Sequence, residues 1–241
     1  MLLPRFLKPT LFQGVGKTKG YFEGWYFKQS LFDKKNHIQR TIAIIPGISW
    51  DANGAGHAFI QTIDSKDGSS TYFRFPVEAF SFQDRPFSIQ IDTNRFSLEG
   101  LHLDAQHNGS SIVADLTFHN LTPISNIMGP YKYIPFMECN HGIISMYHEV
   151  QGYITLIHEN QEGDRLTLAP GIGYIEKDWG RSMPSSWIWI NATNFEGTAG
   201  PVSFFFSLAQ VPWRSHHFNG FISVLYVDGR EFRFATYKQG R

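Results

Sequence analysis

Tyr174, Glu176 and Asp178 stand two residues apart, and so do Trp187, Trp189 and Asn191. Successive side chains of an extended chain point to opposite faces, so each set would share one face of a strand. Two carboxyls and a phenol would then stand near two indoles, joined by a Gly/Pro-containing connection. A carboxyl buried among aromatic rings holds its proton more tightly than one in water, and the rings stabilise a cation nearby. That combination is a proton donor facing a developing positive charge.

Glu176 is the first candidate acid, because burial and the like charge of Asp178 both raise the pKa of a carboxyl. Tyr174 is placed to relay or orient the proton. The competing reading pairs Glu176 and Asp178 with Lys177, Arg181 or backbone amides at a turn. For Tyr174 it is a core tyrosine with a satisfied hydroxyl. Trp187 and Trp189 read equally as cation-stabilising walls or as core. Glu23 and Trp25 repeat the carboxyl-plus-indole theme, which makes Glu23 the second candidate acid or the proton acceptor. Hydrogen bonding within the Tyr21 to Lys28 neighbourhood is the alternative there. His57, Glu138, His141 and His148 are ligand types for a metal, but their spacing matches no standard zinc pattern. No metal is expected. Gly171-x-Gly173 lacks a following helix and is no dinucleotide loop.

The elements that must position these groups read as strands. The 241 residues include 22 Phe, 10 Tyr and 6 Trp, enough aromatics for a core and an apolar cavity. Lys+Arg and Asp+Glu are 21 each, so no basic excess points to nucleic acid. The one cysteine, Cys139, favours a reducing compartment, and no apolar stretch approaches the length of a membrane helix. A cytoplasmic, soluble protein is the expectation. Strand patterns cover Tyr21 to Lys28, with a turn at Asp33 to Asn36, then Thr41 to Ile45, stopped by Pro46-Gly47, and His57 to Asp64. Tyr72 to Phe75 and Val77 to Phe82 flank Pro76, as an edge or broken strand would. Hairpins are expected around Asp92-Thr93-Asn94 and around Asn108-Gly109. Three prolines exclude a continuous strand from residues 121 to 137, a crossing segment between halves. Strands resume at Gly142 to Met146, Gly152 to His158, Leu166 to Leu168 and Val202 to Gln210. Phe221 to Val227 and Glu231 to Tyr237 close the series, and His216-His217 reads as a polar loop. No sustained helical period appears, so the fold class is all-β.

Gly20-Tyr21-Phe22-Glu23-Gly24-Trp25-Tyr26-Phe27-Lys28, His57-Ala58-Phe59-Ile60-Gln61, Met137-Glu138-Cys139-Asn140-His141-Gly142 and Tyr174-Ile175-Glu176-Lys177-Asp178-Trp179-Gly180 together resemble the tocopherol cyclase family. The resemblance implies two lipocalin-like β-barrel domains, 1–125 and 126–241, shared more distantly with carotenoid hydratases and certain pericyclic cyclases. Members are expected to continue with further strands beyond Arg241, so the second barrel is expected to be incomplete. The resemblance also implies a site for a prenylated aromatic lipid. Trp25, His57, Glu138 and His141 within those motifs, with Trp187 and Trp189, are the candidate substrate-binding residues.

Closing a chromanol ring needs a proton on an alkene carbon, capture of the tertiary cation by a phenol oxygen, and an acceptor for the phenolic proton. No metal, nucleotide or redox cofactor enters that chemistry. The implied partner is a lipophilic small molecule, with peripheral membrane contact as one route for its uptake. A non-catalytic lipophile carrier and a structural or carbohydrate-contacting β-module are the rival functions. The first would return its ligand unchanged, and the second would hold its tryptophans in a shallow groove.

Overall fold

Period-two alternation runs through nearly the whole chain, and strands account for most of the residues that the computed structural model describes: 4–33, 38–134, 137–157, 163–195, 200–213 and 216–238. Among them there is no α-helix, only short 3₁₀ turns. The N-terminal half contains β1 (Tyr21–Asp33), β2 (Ile38–Trp50), β3 (Gly56–Asp64), β4 (Ser70–Phe75) and β5 (Phe80–Asp84). It continues with β6 (Phe87–Ile91), β7 (Asn94–Ser97), β8 (Gly100–His107) and β9 (Ser110–His119). After the proline-rich crossing come β10 (Cys139–Ile157), β11 (Asp164–Gly180) and β12 (Ser186–Ala192). β13 (Val202–Trp213), β14 (His216–Val227) and β15 (Arg230–Ala235) follow.

The first eleven strands form one antiparallel sheet in the order β4-β3-β2-β1-β11-β10-β9-β8-β7-β6-β5. Its two edge strands, β4 and β5, are consecutive in the chain and joined through Pro76. Phe73 of β4 and Ile89 of β6 share one buried cluster with Phe27, Phe96 and Ile154, so the sheet curls around a single core. Strands β12–β15 make a separate four-stranded sheet. Residues beyond 125 therefore supply the last two strands of the large sheet and the whole of the small one.

Several strands run through residues expected to stop them. β2 continues across Pro46-Gly47, and its pairing with β1 lapses between Gly24↔Gly47 and Phe27↔Ile44. The proline's missing N–H falls in that gap, while its pairing with Ile60 on the other side persists. β10 is one strand of 19 residues with register shifts at three points, rather than two short strands. β11 likewise passes through Pro170. His216 and His217 belong to β14 rather than to a loop. The Asn108-Gly109 hairpin forms as expected, both residues holding positive φ (48° and 77°). The turn expected after Asp33 lies outside the described residues.

Inside the curled sheet, Glu23, Trp25, Lys177 and Trp179 meet on the inward faces of β1 and β11, where Glu23 pairs with Trp179 and Trp25 with Lys177. Lys177 Nζ lies 2.5 Å from Glu23 Oε1 and 4.7 Å from the ring centroids of both Trp25 and Trp179. The other bonds to Glu23 come from Tyr21 Oη at 2.6 Å and from the backbone N–H groups of Gln13 and Gly14. Lys177 also donates to Leu11 O, and Trp25 Nε1 to Thr10 O. Burial still pulls the Lys177 pKa down, to about 8, against the opposing charge of Glu23. This buried pair ties residues 10–14 across the mouth of the large sheet. Replacing Glu23 by Gln strands the ammonium, and we expect a loss of about 3–5 kcal/mol in urea unfolding.

His148 sits in the same core against Phe118, with ring centroids 4.7 Å apart. Burial holds its pKa down to about 3, so it is neutral. Its ring occupies the space over Gly173, its neighbour across the β10–β11 pair, where any Cβ would overlap Nε2. The Gly171-x-Gly173 spacing thus leaves room for an imidazole. Gly173→Ala should cost about 1–3 kcal/mol of stability by overpacking, and less in a His148→Ser background, as a double-mutant cycle would measure.

Candidate functional site

The opposite faces of β1, β10 and β11 turn toward the small sheet. Even-numbered residues of β11, Tyr174, Glu176 and Asp178, point that way, as their spacing requires. The register sets Tyr26 beside Glu176, Lys28 beside Tyr174 and His141 beside Asp178. β12 and β13 bring Trp187, Trp189 and Phe205 from the other side. Between the sheets lies a cavity of ≈ 570 Å³, with Tyr26, His141, Glu176, Asp178, Trp187 and Trp189 in its wall. The remaining wall is mostly apolar, from Ile45, Met128 and Tyr131 to Ala209 and Ile222.

One polar cluster breaks that apolar lining. Glu176 Oε2 accepts hydrogen bonds from Tyr174 Oη at 2.6 Å and from Trp189 Nε1 at 3.0 Å. His141 Nδ1 lies 2.6 Å from Asp178 Oδ1, and the imidazole stacks on Phe205 with ring centroids 5.2 Å apart. His141 Nε2 stands 3.3 Å from Glu176 Oε2, within ion-pair reach but poorly aligned for a hydrogen bond. That nitrogen is shielded from water and has no aligned partner. Lys28 Nζ donates to Asn191 Oδ1 at 2.5 Å and to Asn191 O at 3.1 Å.

Burial alone would lower the His141 pKa, but the charges of Asp178 and Glu176 and the bond to Asp178 outweigh it. The net effect pushes it up to about 10, so the imidazole is a cation at neutral pH. Lys28 is pulled down to about 8 by burial, against the charge of Glu176. Tyr26 and Tyr174 are both raised, by burial first and by the charge of Glu176 second, so both keep their protons. The ligand atoms of His141, Glu176 and Asp178 fall within 4.8 Å of one another, a grouping that could hold a cation. A metal ion would need the imidazole neutral, whereas the protonated His141 has no lone pair to give it, so the cation already in this cluster at neutral pH is His141 itself.

The structure gathers Glu176, Asp178, His141, Trp187 and Trp189 around one cavity, with Tyr174 fully buried behind it and joined to it through Glu176. Glu23 and Trp25 lie on the other side of the sheet, where Glu23 is bound to Lys177 rather than free to exchange a proton. His57 lies on the outer face of β3, its Nε2 2.7 Å from Tyr72 Oη and outside the cavity wall. Glu138 also lies outside that wall, where it accepts a 2.7 Å bond from Ser182 Oγ next to Gly180. Tyr26, Lys28 and Phe205 are the residues that sequence reasoning passed over. The first two were legible in principle, since they alternate with Trp25 and Phe27. Nothing local marks Phe205, which reaches His141 only through the packing of the two sheets.

A family model described as tocopherol cyclase-like matches residues 117–239, which include β10, β11 and the whole small sheet. The chain belongs to the tocopherol cyclase-like family. Its fold is similar to that of CghA, with 14% identity and a TM-score of 0.62 over 96% of this chain. The match spans 64% of the CghA chain. A putative AttH from Nitrosomonas europaea is similar at 12% identity and a TM-score of 0.51, over 88% of this chain and 68% of that one. At those identities the likeness concerns the fold, the lipocalin-related architecture of the family. No helix among the described residues is long and apolar enough to cross a membrane.

The raised pKa of His141 carries a sign. Its folded value of about 10 exceeds the ordinary 6.5, so its charge stabilises the fold fully below pH 6.5 and is lost as pH rises toward 10. Lys28 and Lys177, with lowered values, act in the opposite direction above about pH 8. The clean measurement is therefore a difference. The stability gap between the native chain and His141→Asn should narrow as pH is raised from 6.5 to 10, by up to about 1.4 kcal/mol per pH unit.

Proposed function

We propose that this tocopherol cyclase-like protein closes an oxygen ring in a prenylated quinol or related isoprenoid lipid, with the His141–Glu176 pair lending a proton and taking it back. One observation carries the reading: a single ionisable cluster stands in the wall of an otherwise apolar cavity between two sheets. An isoprenoid tail suits the apolar walls, and a phenolic head suits the polar one. Membership of the family supports the same substrate class.

The proton rests on His141. A ligand filling the cavity expels water, which penalises separated charges and favours transfer across the 3.3 Å gap to Glu176. The Glu176 carboxyl then protonates the alkene. A C–H bond forms, the π bond breaks and a tertiary cation remains. Trp189 and Tyr26, whose ring centroids lie 5.3 Å apart beside Glu176, offer π faces worth about 0.5–2 kcal/mol each to that cation. The phenol oxygen closes the C–O bond, and its proton passes to the now neutral His141. Substrate and product are isomers, and the cluster ends in the state in which it began. Asp178 holds the imidazole through Nδ1, leaving Nε2 for the exchange.

Glu176→Gln keeps the side-chain shape and the acceptor for Trp189 but cannot cycle the proton. Ring closure of a prenyl quinol should fall at least ~100-fold in this variant, the range of general acid–base catalysis, while tryptophan quenching by the ligand persists. Undiminished turnover would remove Glu176 from the role. The carrier reading draws on the two hydrogen bonds that already occupy Glu176 Oε2, a pattern that also suits a purely structural group. A quinol that binds tightly and is recovered unchanged from the native chain after long incubation would favour it.

A further inference from the structure

Lys28 stands on the same face of β1 as Tyr26, beside Tyr174 in register, and the proposed reaction assigns it no step. Its ammonium is buried between the two sheets, which holds its pKa down to about 8 even with the charge of Glu176 nearby. Burying an ammonium is costly, and a methionine would fill the space without that cost. The bonds it makes show what the charge does there. Nζ donates to Asn191 Oδ1 at 2.5 Å and to Asn191 O at 3.1 Å, so it grips both the side chain and the backbone of one β12 residue. The Asn191 amide is fixed in turn, since its Nδ2 donates to Phe204 O of β13 at 3.2 Å.

Among the described residues, β12 is hydrogen-bonded to the large sheet at two places. One is this grip, and the other is the 3.0 Å bond from Trp189 Nε1 to Glu176 Oε2. Asn191 and Trp189 are two residues apart on one face, about 7 Å along the strand, so a displacement at Asn191 is carried to the indole. Pairing with β13 does not prevent that displacement, because β13 belongs to the same small sheet. A second charged tie, from Arg233 to the carbonyls of Ser125 and Asn126, lies on β15 at the opposite edge. We propose that Lys28 is a positioning residue: by gripping Asn191 it sets β12 over β1 so that the Trp189 indole stays on Glu176.

The indole N–H stabilises the Glu176 carboxylate, and a carboxylate that loses such a donor holds a proton more tightly. Without the grip Glu176 is the weaker acid, and the indole face is drawn away from the forming cation. That effect on rate rests on the ring closure proposed above. The placement of the indole does not.

Proton–nitrogen correlation spectra of the tryptophan indoles test the proposal, with the Trp189 signal assigned by its loss in Trp189→Phe. In the native chain this signal should lie downfield of an indole in water and exchange slowly, as a donor to a carboxylate does. Lys28→Met removes the ammonium and should move the signal to the water-exposed position. Asn191→Ala keeps the ammonium and should move it the same way, which separates the grip from a direct effect of the charge on Glu176. In either variant kcat for ring closure should fall about tenfold with KM unchanged, the loss expected for one hydrogen bond made to the reacting acid. A signal that stays in place in both variants overturns the proposal, whatever happens to turnover or melting temperature. So does one that moves in Lys28→Met alone. Should Lys28→Met fail to fold, the shift in Asn191→Ala decides. A native chain that returns its quinol unchanged removes the ring closure, and the indole shift still upholds or overturns the role of Lys28.

Discussion

Everything in this molecule depends on β11 having a sheet on each side of it. The strand lies fifth among the eleven of the large sheet, hydrogen-bonded to β1 and β10, with one face in the core and the other under the small sheet. Because its side chains alternate, consecutive residues serve different interiors. Ile175, Lys177 and Trp179 pack inward, while Glu176 and Asp178 line the cavity and Tyr174 packs under the small sheet beside them. Each interior then has to neutralise the charge it receives. Inward, Lys177 is met by Glu23. Outward, the two carboxylates are met by the His141 cation, with the Lys28 ammonium close enough to feel the charge of Glu176.

The two buried clusters differ in how completely they are satisfied, and that difference separates structure from chemistry. Four donors converge on the Glu23 carboxylate, and Lys177 spends a further proton on a carbonyl. Such a network holds chain segments together and has nothing left to exchange. In the outer cluster His141 Nε2 is buried without an aligned partner, although a carboxylate oxygen lies 3.3 Å away. An unsatisfied donor of that kind costs stability. It stands at the wall of a cavity, where an incoming polar group can take the bond.

Much of this arrangement was legible in the sequence, because it follows from a period of two. The shared face of Tyr174, Glu176 and Asp178, that of Trp187 and Trp189, and the all-β class needed only alternation. What was not legible depends on register between distant strands. Glu23 and Trp25 have the same spacing as Glu176 and Asp178, yet they face the opposite interior. Only the pairing of Glu23 with Trp179 rather than with Asp178 decides that. His141 looked like one of several scattered ligand types until the β10–β11 register set it beside Asp178. Pro46 misled for a different reason. It was read as a breaker from local chemistry, whereas a long strand flanked on both sides can lose one ladder bond and continue.

The location of the cavity also follows from sheet physics rather than from any motif. The curled eleven-stranded sheet is packed inside with Phe27, Phe96, Phe118 and their neighbours. Its outer face, ordinarily wet, becomes a binding surface only where a second sheet covers it. The small sheet provides that cover with its indoles and with Phe205 against the His141 ring. The cluster is therefore buried by a partner only four strands wide, anchored in part through Arg233, which donates to the carbonyls of Ser125 and Asn126 on the crossing segment. Stiffness of that four-stranded cover governs how well water is kept from the His141–Glu176 pair.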